Sequence, residues 1–263
     1  MIIDFHTHTF SEKIAVRALD SLSGRTGGLH FQNDGTVSGL KAALRAAGVD
    51  GAVILNVATN PQKISVVNDY AIETNRPEEL IWSFGSVHPF APDAIEELER
   101  LKAAGVRGIK FQPAFQQFYA DDPKVFPVYR KAAQLGFVTV FHSGLDLGFR
   151  EVFVSPQSIA AILPQFGGAP VVAAHFGGYM QWEDTLQYLL AENVYLDTSY
   201  SYGRMPFPMA VQLVEAFGAD RILFGSDSPW GNIADELRFL RHVGLSAAEE
   251  EKVLYRNALK LLK

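Results

Sequence analysis

The feature that most constrains the fold is a short apolar run that recurs along the whole chain, each time followed by a longer helical pattern. Eight such runs, rich in β-branched and aromatic residues, are predicted to be strands: Ile2–Thr7, Ala52–Val57, Ile81–Val87, Gly108–Gln112, Val138–His142, Val171–His175, Tyr195–Thr198 and Ile222–Gly225. Most are continuously apolar, as expected of parallel strands that are buried on both faces. Strand starts mostly repeat about every 23 to 34 residues, the length of one βα unit.

The segments between these runs carry the start and stop signals of helices. Proline, acidic or capping residues open the stretches and glycine follows most of them, which predicts helices at Thr36–Ala47, Pro92–Ala104, Pro123–Leu135, Pro156–Phe166 and Met209–Phe217. A last helix, Ser246–Leu262, begins where Ser246 and Glu249 have capping-box spacing. The step from the first strand to the second is unusually long and leaves Phe10–Gly35 as an insertion.

Eight βα units in 263 residues predict an α/β protein with one domain, residues 1–263. The expected fold is a (β/α)8 TIM barrel with an insertion after strand 1, on the active-site face, and a C-terminal helix. A doubly wound sheet is the competing layout. It requires a glycine-rich phosphate-binding turn after the first strand, where this chain has Phe-His-Thr-His-Thr.

Composition excludes several kinds of chemistry and partner. The net charge is −6 and no basic stripe is present, which argues against a nucleic-acid partner. The chain has no cysteine, so a metal would have to be bound by nitrogen and oxygen donors. The sequence shows neither a signal peptide nor an apolar run of about 18 residues, so we expect a cytoplasmic protein with no membrane partner.

Histidine and aspartate side chains stand where strands are predicted to end. His6 and His8, two residues apart on strand one, should point to the same face. Alone, this pair fits a metal site and a pair of hydrogen-bonded histidines near a turn equally well. His142, His175 and Asp227 follow strands five, six and eight, each before a turn that contains glycine or proline. TIM barrels carry their catalytic residues at these positions, which favours a metal site at the barrel mouth.

Several motifs together resemble the amidohydrolase superfamily over essentially the full length: DFHTH, GIK, FHSG, AHFGG, GSDSPW and YRNALKLL. They are most similar to its amidohydrolase-related branch, which includes aminocarboxymuconate-semialdehyde decarboxylase. The resemblance implies that His6, His8, His142 and Asp227 are metal ligands. It also implies that His175 is a catalytic acid/base or a ligand of a second metal.

A divalent ion in such a site lowers the pKa of a water to about 7, and Asp227 can take and pass on its proton. Zn²⁺ suits the nitrogen-rich donors best, with Mn²⁺ or Fe²⁺ as alternatives. One ion is favoured over two, because the resemblance is nearer to mononuclear members. Three roles are open for Lys110 on strand four. It could be carboxylated and bridge two metals, it could pair with a substrate carboxylate, or it could belong to a buried ion pair.

Further residues are candidates for substrate contact. These are His88 after strand three, His30 in the insertion, Tyr202 and Arg204 after strand seven, and Trp230 after strand eight. For each of them a structural or solvated role is the alternative. Substrate identity is expected to depend on four loops: Phe10–Gly35, Ala114–Asp122, Asp146–Ser155 and Ser201–Phe207.

The leading functional hypothesis is a metal-dependent hydrolase that cleaves a C–N or C–O bond in a small, carboxylate-bearing molecule. The alternative on the same ligands is a non-oxidative decarboxylase of a small aromatic or unsaturated acid. A TatD-type nuclease is disfavoured because that group has a glutamate where this chain has Lys110. A non-catalytic barrel would be recognised by the absence of stoichiometric metal. The sequence is also compatible with a homodimer.

Overall fold

The computed structural model describes residues 1–25 and 27–263 and shows strands that alternate with helices. All eight predicted strands are present, and most are shorter than predicted: β1 Ile3–Thr7, β2 Gly51–Leu55, β3 Ile81–Phe84, β4 Gly108–Phe111, β5 Val138–Phe141, β6 Val171–Ala173, β7 Tyr195–Asp197 and β8 Ile222–Leu223. Strand three had been predicted to reach Val87. It ends earlier because Ser86 turns to bond with other elements, its N–H donating to Asn68 and its hydroxyl to the Lys110 carbonyl.

The strands form two parallel arcs that two single bridges join into a ring. One arc has the order β1-β2-β3 and the other β4-β5-β6-β7-β8. Gly85 pairs with Ile109 between β3 and β4, and Thr7 pairs with Ser228 beyond β8. At the second seam the Asp227 N–H donates to the His6 carbonyl at 2.8 Å. The predicted TIM-barrel class is therefore confirmed, with closure concentrated in a few hydrogen bonds.

Helices follow the strands in the order expected of βα units. Their bounds are α1 Ala15–Arg25, α2 Val37–Ala47, α3 Ile64–Thr74, α4 Ala94–Ala103, α5 Pro113–Gln116, α6 Phe126–Gln134, α7 Pro156–Ile162, α8 Trp182–Leu189, α9 Phe207–Phe217, α10 Ile233–His242, α11 Ala247–Glu251 and α12 Asn257–Leu262. The insertion after strand one contains α1, which the sequence patterns had not predicted. The capping box of Ser246 and Glu249 is present, and a π-helical turn joins α11 to α12.

The barrel interior is filled with apolar side chains. One buried cluster draws on strands from all round the ring, so it lies inside the ring: Ile3, Phe5, Val53, Leu55, Trp82, Phe84, Val138, Val140, Val172 and Leu223. Ala258, Leu261 and Leu262 of α12 belong to the same cluster, so the last helix covers one end of the barrel. None of the helices in the described part of the chain combines the length and apolar character that a bilayer crossing requires.

Candidate metal centre and active site

A cavity of about 400 Å³ opens where the strands end. Its floor includes side chains at or just beyond the carboxyl ends of strands, namely His6, Leu55, Gln112, His142 and His175. The insertion after β1 supplies another part of the wall with Phe10, Ser11, Ile14, Ala18, Leu22 and Leu29. The insertion therefore lies on the active-site face, as predicted.

Three atoms that can donate an electron pair to a metal ion converge on the cavity floor. The Nε2 atoms of His6 and His8 are 3.1 Å apart, and Asp227 Oδ1 lies 3.4 Å from the first and 3.2 Å from the second. Ligands at about 2.1 Å from a tetrahedral Zn²⁺ stand roughly 3.4 Å from one another. The spacing of these three atoms therefore suits a metal ion.

The hydrogen bonds of the two imidazoles favour a cation between these atoms. His8 Nδ1 donates to the Leu55 carbonyl at 2.7 Å, and His6 Nδ1 donates to the Asp197 carboxylate at 2.8 Å. A neutral imidazole has one N–H, so both Nε2 atoms keep lone pairs. These lone pairs face each other and the Asp227 carboxylate. Three acceptors this close repel one another unless a positive ion lies between them.

A second cluster, of His6, His175 and Asp197, has metal-like spacing and a different character. The Ser199 hydroxyl lies among its members, 3.1 Å from His6 Nδ1 and 2.9 Å from His175 Nδ1, and it donates to Asp197. Asp197 also accepts the backbone N–H groups of His175 and Ser199. Because donors already serve this carboxylate, we interpret the cluster as a hydrogen-bond network that holds His6.

His142 lies near these three atoms and contacts His175. Its Nδ1 is 3.0 Å from His175 Nε2, and His175 Nδ1 faces the Ser199 carbonyl at 3.3 Å. His142 therefore donates through Nδ1, and its Nε2 keeps a lone pair. That atom is buried and has no hydrogen-bond partner among the described residues. Neither three-residue metal group in that part of the chain includes His142, so its role as fourth ligand stays a prediction.

Burial and neighbouring charges set the protonation of these groups. Burial, then the nearby Lys110 ammonium, lowers the pKa of His142 to about 3. Burial and His142 lower the pKa of His175 to about 4. Burial opposes ionisation of Asp227, and the neighbouring imidazoles of His8, His6 and His175 outweigh it, so its pKa lies well below the usual value. Neutral imidazoles and an ionised carboxylate are the forms that bind a divalent ion.

The backbone is strained around the cavity. His175, Tyr200 and Asp227 have φ values of 59°, 58° and 63°, in the left-handed region that non-glycine residues rarely adopt. Each such residue costs about 1–3 kcal/mol, and such strain is typical of functional sites. At His175 it also explains why β6 ends before the residue predicted to be its last.

Some of the predicted substrate contacts line the cavity and others lie outside the described lining. Trp230 lines the cavity and packs edge-on against His8, with ring centroids 5.0 Å apart. Lys110 is fully buried, its Nζ has no hydrogen-bond partner among the described residues, and burial lowers its pKa to about 8. It is not among the described residues that line the cavity.

The other four predicted contacts also lie outside that lining. His30 is exposed, Tyr202 is 45% exposed, and His88 is buried and accepts the Phe90 N–H. The Arg204 guanidinium stacks on the Tyr200 ring, 3.5 Å from its centroid; Tyr200 lines the cavity and Arg204 is not among the described lining residues. Of the four loops expected to recognise substrate, only residues 201–207 contribute no described side chain to the lining.

Sequence reasoning missed Asp197, the carboxylate that holds His6. It is the last residue of β7, so its position at a strand end could have identified it in the same way as His142 and His175. Asp146 was also missed; it lines the cavity and accepts a hydrogen bond from Gln112 at 2.8 Å. No local pattern marks this residue, because it lies in a loop.

Comparison with known proteins agrees with the fold. The chain is similar to an uncharacterized TIM-barrel protein from Bordetella bronchiseptica, with a TM-score of 0.78 and 20% identity over 99% of this chain and 98% of that one. A manganese-bound 5-carboxyvanillate decarboxylase from Novosphingobium aromaticivorans gives a TM-score of 0.75 and 16% identity over 100% and 97%. A zinc-bound amidohydrolase from Burkholderia multivorans gives 0.72 and 15% over 100% and 99%.

These structures support the fold, since identity is low in each case. No curated protein matches the chain. The family model described as Amidohydrolase matches residues 3–263, which is nearly the whole sequence. This match covers the His6/His8 strand, the strand ends that carry His142 and His175, and the turn that carries Asp227. The chain belongs to the amidohydrolase family of enzymes.

Proposed function

We propose that this protein is a metal-dependent hydrolase that cleaves a C–N or C–O bond in a small molecule. The observation that carries the proposal is the convergence of three acceptor atoms, from His6, His8 and Asp227, with no donor between them. These residues would hold one divalent ion, and the Nε2 of His142, which has no hydrogen-bond partner among the described residues, is the candidate fourth donor. When bound, such an ion supplies Lewis-acid chemistry, which polarises a carbonyl and makes water nucleophilic near neutral pH.

The chain's own residues supply proton transfer. Asp227 is ionised and 14% exposed, and it faces the cavity, so its carboxylate can accept a proton from the attacking water and later deliver it to the leaving group. His142 and His175 share one proton across 3.0 Å and both line the cavity. The His175 ring is neutral, so it could exchange a proton with the reacting molecule if binding displaces its hydrogen bond to His142.

Zinc is the metal that we propose, because imidazole nitrogens dominate the donor set. Manganese is the alternative. The similar Burkholderia amidohydrolase holds zinc and the similar Novosphingobium decarboxylase holds manganese. Metal analysis of the purified protein, with one ion per chain expected, distinguishes these choices and tests the number of ions.

A non-oxidative decarboxylase is the second candidate, supported by the aromatic side chains in the cavity. Phe10, Phe115, Tyr70, Tyr179 and Trp230 all line it, and they suit an aromatic acid whose carboxylate lies near the metal. The similar Novosphingobium structure is a decarboxylase of such an acid. Release of carbon dioxide from a substituted benzoate, without uptake of water into the products, would favour this reaction over hydrolysis.

The test of metal-dependent catalysis uses zinc-loaded protein and a panel of esters, lactones and anilides, with products identified by mass spectrometry. His6→Ala and Asp227→Asn should each lower turnover by about 10³-fold or more while far-UV circular dichroism stays nearly unchanged. His242→Ala is the matched control, because His242 ends α10 on the surface and bonds only locally to the Arg238 carbonyl. Wild-type turnover in His6→Ala or Asp227→Asn would contradict the proposal.

A further inference from the structure

One part of the cavity is built from aliphatic side chains. We call it the apolar wall and define it by six residues from the insertion after β1 and from α3: Ile14, Ala18, Leu22, Leu29, Val66 and Val67. The metal end, by contrast, is formed by His6, His8, His142, His175 and Asp227. One cavity thus joins a polar reacting end to an aliphatic surface.

The described lining of the cavity carries acidic side chains and no permanent positive charge. Among the described residues that line it, none is lysine or arginine, while Asp146 and Asp227 both are acidic. The cations predicted to contact substrate lie elsewhere. Lys110 is fully buried in the barrel, and the Arg204 guanidinium is stacked on the Tyr200 ring. A carboxylate placed away from the metal end would therefore lose part of its hydration with no cation among these residues to replace it.

We infer that the substrate carries an uncharged, hydrophobic group, aliphatic or aromatic, that lies against the apolar wall. This inference rests on the proposed function of the same site and names its substrate class. It revises the expected carboxylate-bearing substrate, because any carboxylate would have to sit at the metal end. The physical reason is that apolar contact stabilises such a group, whereas an unpaired buried anion is strongly disfavoured.

The volume also limits the substrate. A space of about 400 Å³ accommodates a molecule of ordinary metabolite size and lies at the lower end of small-molecule pockets. The wall is partly open to solvent at Ile14 (41% exposed) and Val66 (64% exposed), so ligand contact would cover apolar surface that is otherwise wet. The same exposure means that a lysine at either position can be accommodated in the fold.

The test compares two probes that differ in one terminal group. Hexanohydroxamic acid ends in a methyl group and adipic monohydroxamic acid ends in a carboxylate, while the same metal-binding hydroxamate is present in both. Titration calorimetry on the zinc-loaded full chain should show at least tenfold tighter binding of the methyl-terminated probe. Calorimetry requires no turnover, so the inference can fail while hydrolysis is observed, and hydrolysis can fail while the binding preference is observed.

Two variants locate the effect in the cavity. Ile14→Lys and Val66→Lys place a cation on the apolar wall and should reduce the preference for the methyl-terminated probe at least threefold. Val16→Lys is the matched control, because Val16 is 71% exposed on α1 and is not among the lining residues. Equal or tighter binding of the carboxylate probe by the wild type would overturn the inference. So would an unchanged preference in both wall variants.

Discussion

Replacing Asp197 with asparagine tests whether this carboxylate positions a metal ligand. Asp197 Oδ2 accepts the Nδ1–H of His6, while Oδ1 accepts from the His175 and Ser199 backbone N–H groups. Asparagine has one oxygen, and the two backbone donors require it on the Oδ1 side. Its NH₂ group then faces His6 Nδ1, which has to become an acceptor.

This reversal moves the His6 proton to the atom that should bind the metal. With Nδ1 accepting, the neutral ring carries its proton on Nε2, which then has no lone pair for an ion. Loss of such a supporting carboxylate typically weakens metal binding by about 10- to 100-fold, or about 1.4–2.7 kcal/mol. Because shape and most hydrogen bonds are kept, we expect the fold to persist.

The assay is a competition between the protein and a chromogenic chelator for Zn²⁺, with wild type and variant compared at the same pH. Asp220→Asn serves as the control, since Asp220 is 75% exposed and pairs with Lys252 on the surface. Turnover at saturating zinc gives a second readout, because a positioning role predicts partial recovery. Unchanged zinc affinity in Asp197→Asn, with the variant folded, would refute the reasoning about the His6 tautomer.

Two further predictions concern stability. Burial raises the pKa of Glu236 from 4.5 to about 8. Between these two pH values the folded state therefore keeps a proton that the unfolded chain releases. The stabilisation that this proton gives is fully present below about pH 4.5 and is lost as the pH rises towards 8. Glu236→Gln should therefore flatten the fall of the thermal midpoint between pH 5 and 8, and parallel curves for the two proteins would contradict this. Ser246→Ala removes the hydroxyl that accepts the Glu249 N–H, keeps the bond from its own backbone N–H to the Glu249 carboxylate, and should cost about 0.5–2 kcal/mol in urea unfolding, with zinc affinity unchanged. A urea midpoint equal to that of the wild type would show that the cap contributes nothing.

The order of strands and helices could be predicted because it follows from apolar runs that every barrel strand must bury. Strand ends could not be predicted as well. His175 was predicted to end β6 and lies two residues beyond it, because the chain turns into a left-handed conformation there. The α1 helix was missed because its buried side is limited to Ala15 and Leu19, too few residues for a clear period.

The candidate site was predictable on the strands and in the turns directly after them, and less so in the longer loops. The His6/His8 pair and the strand-end positions of His142 and His175 place these side chains at one rim by geometry alone. The direction of a loop side chain depends on contacts that no local pattern encodes. Arg204 illustrates this, because its guanidinium stacks on the Tyr200 ring and so does not line the cavity.

The closing seam of the barrel and the metal centre share their hydrogen bonds, which has a consequence for stability. Asp4, fully buried on β1, accepts the backbone N–H groups of His6 and Ser226 and the Ser226 hydroxyl. It therefore ties the strand that carries both histidine ligands to the segment that carries Asp227. The regular strand pairing at this seam is limited to a single bridge, between Thr7 and Ser228. An ion held by residues on both sides of the seam would join the same two segments, so metal binding should stabilise barrel closure as well as enable catalysis.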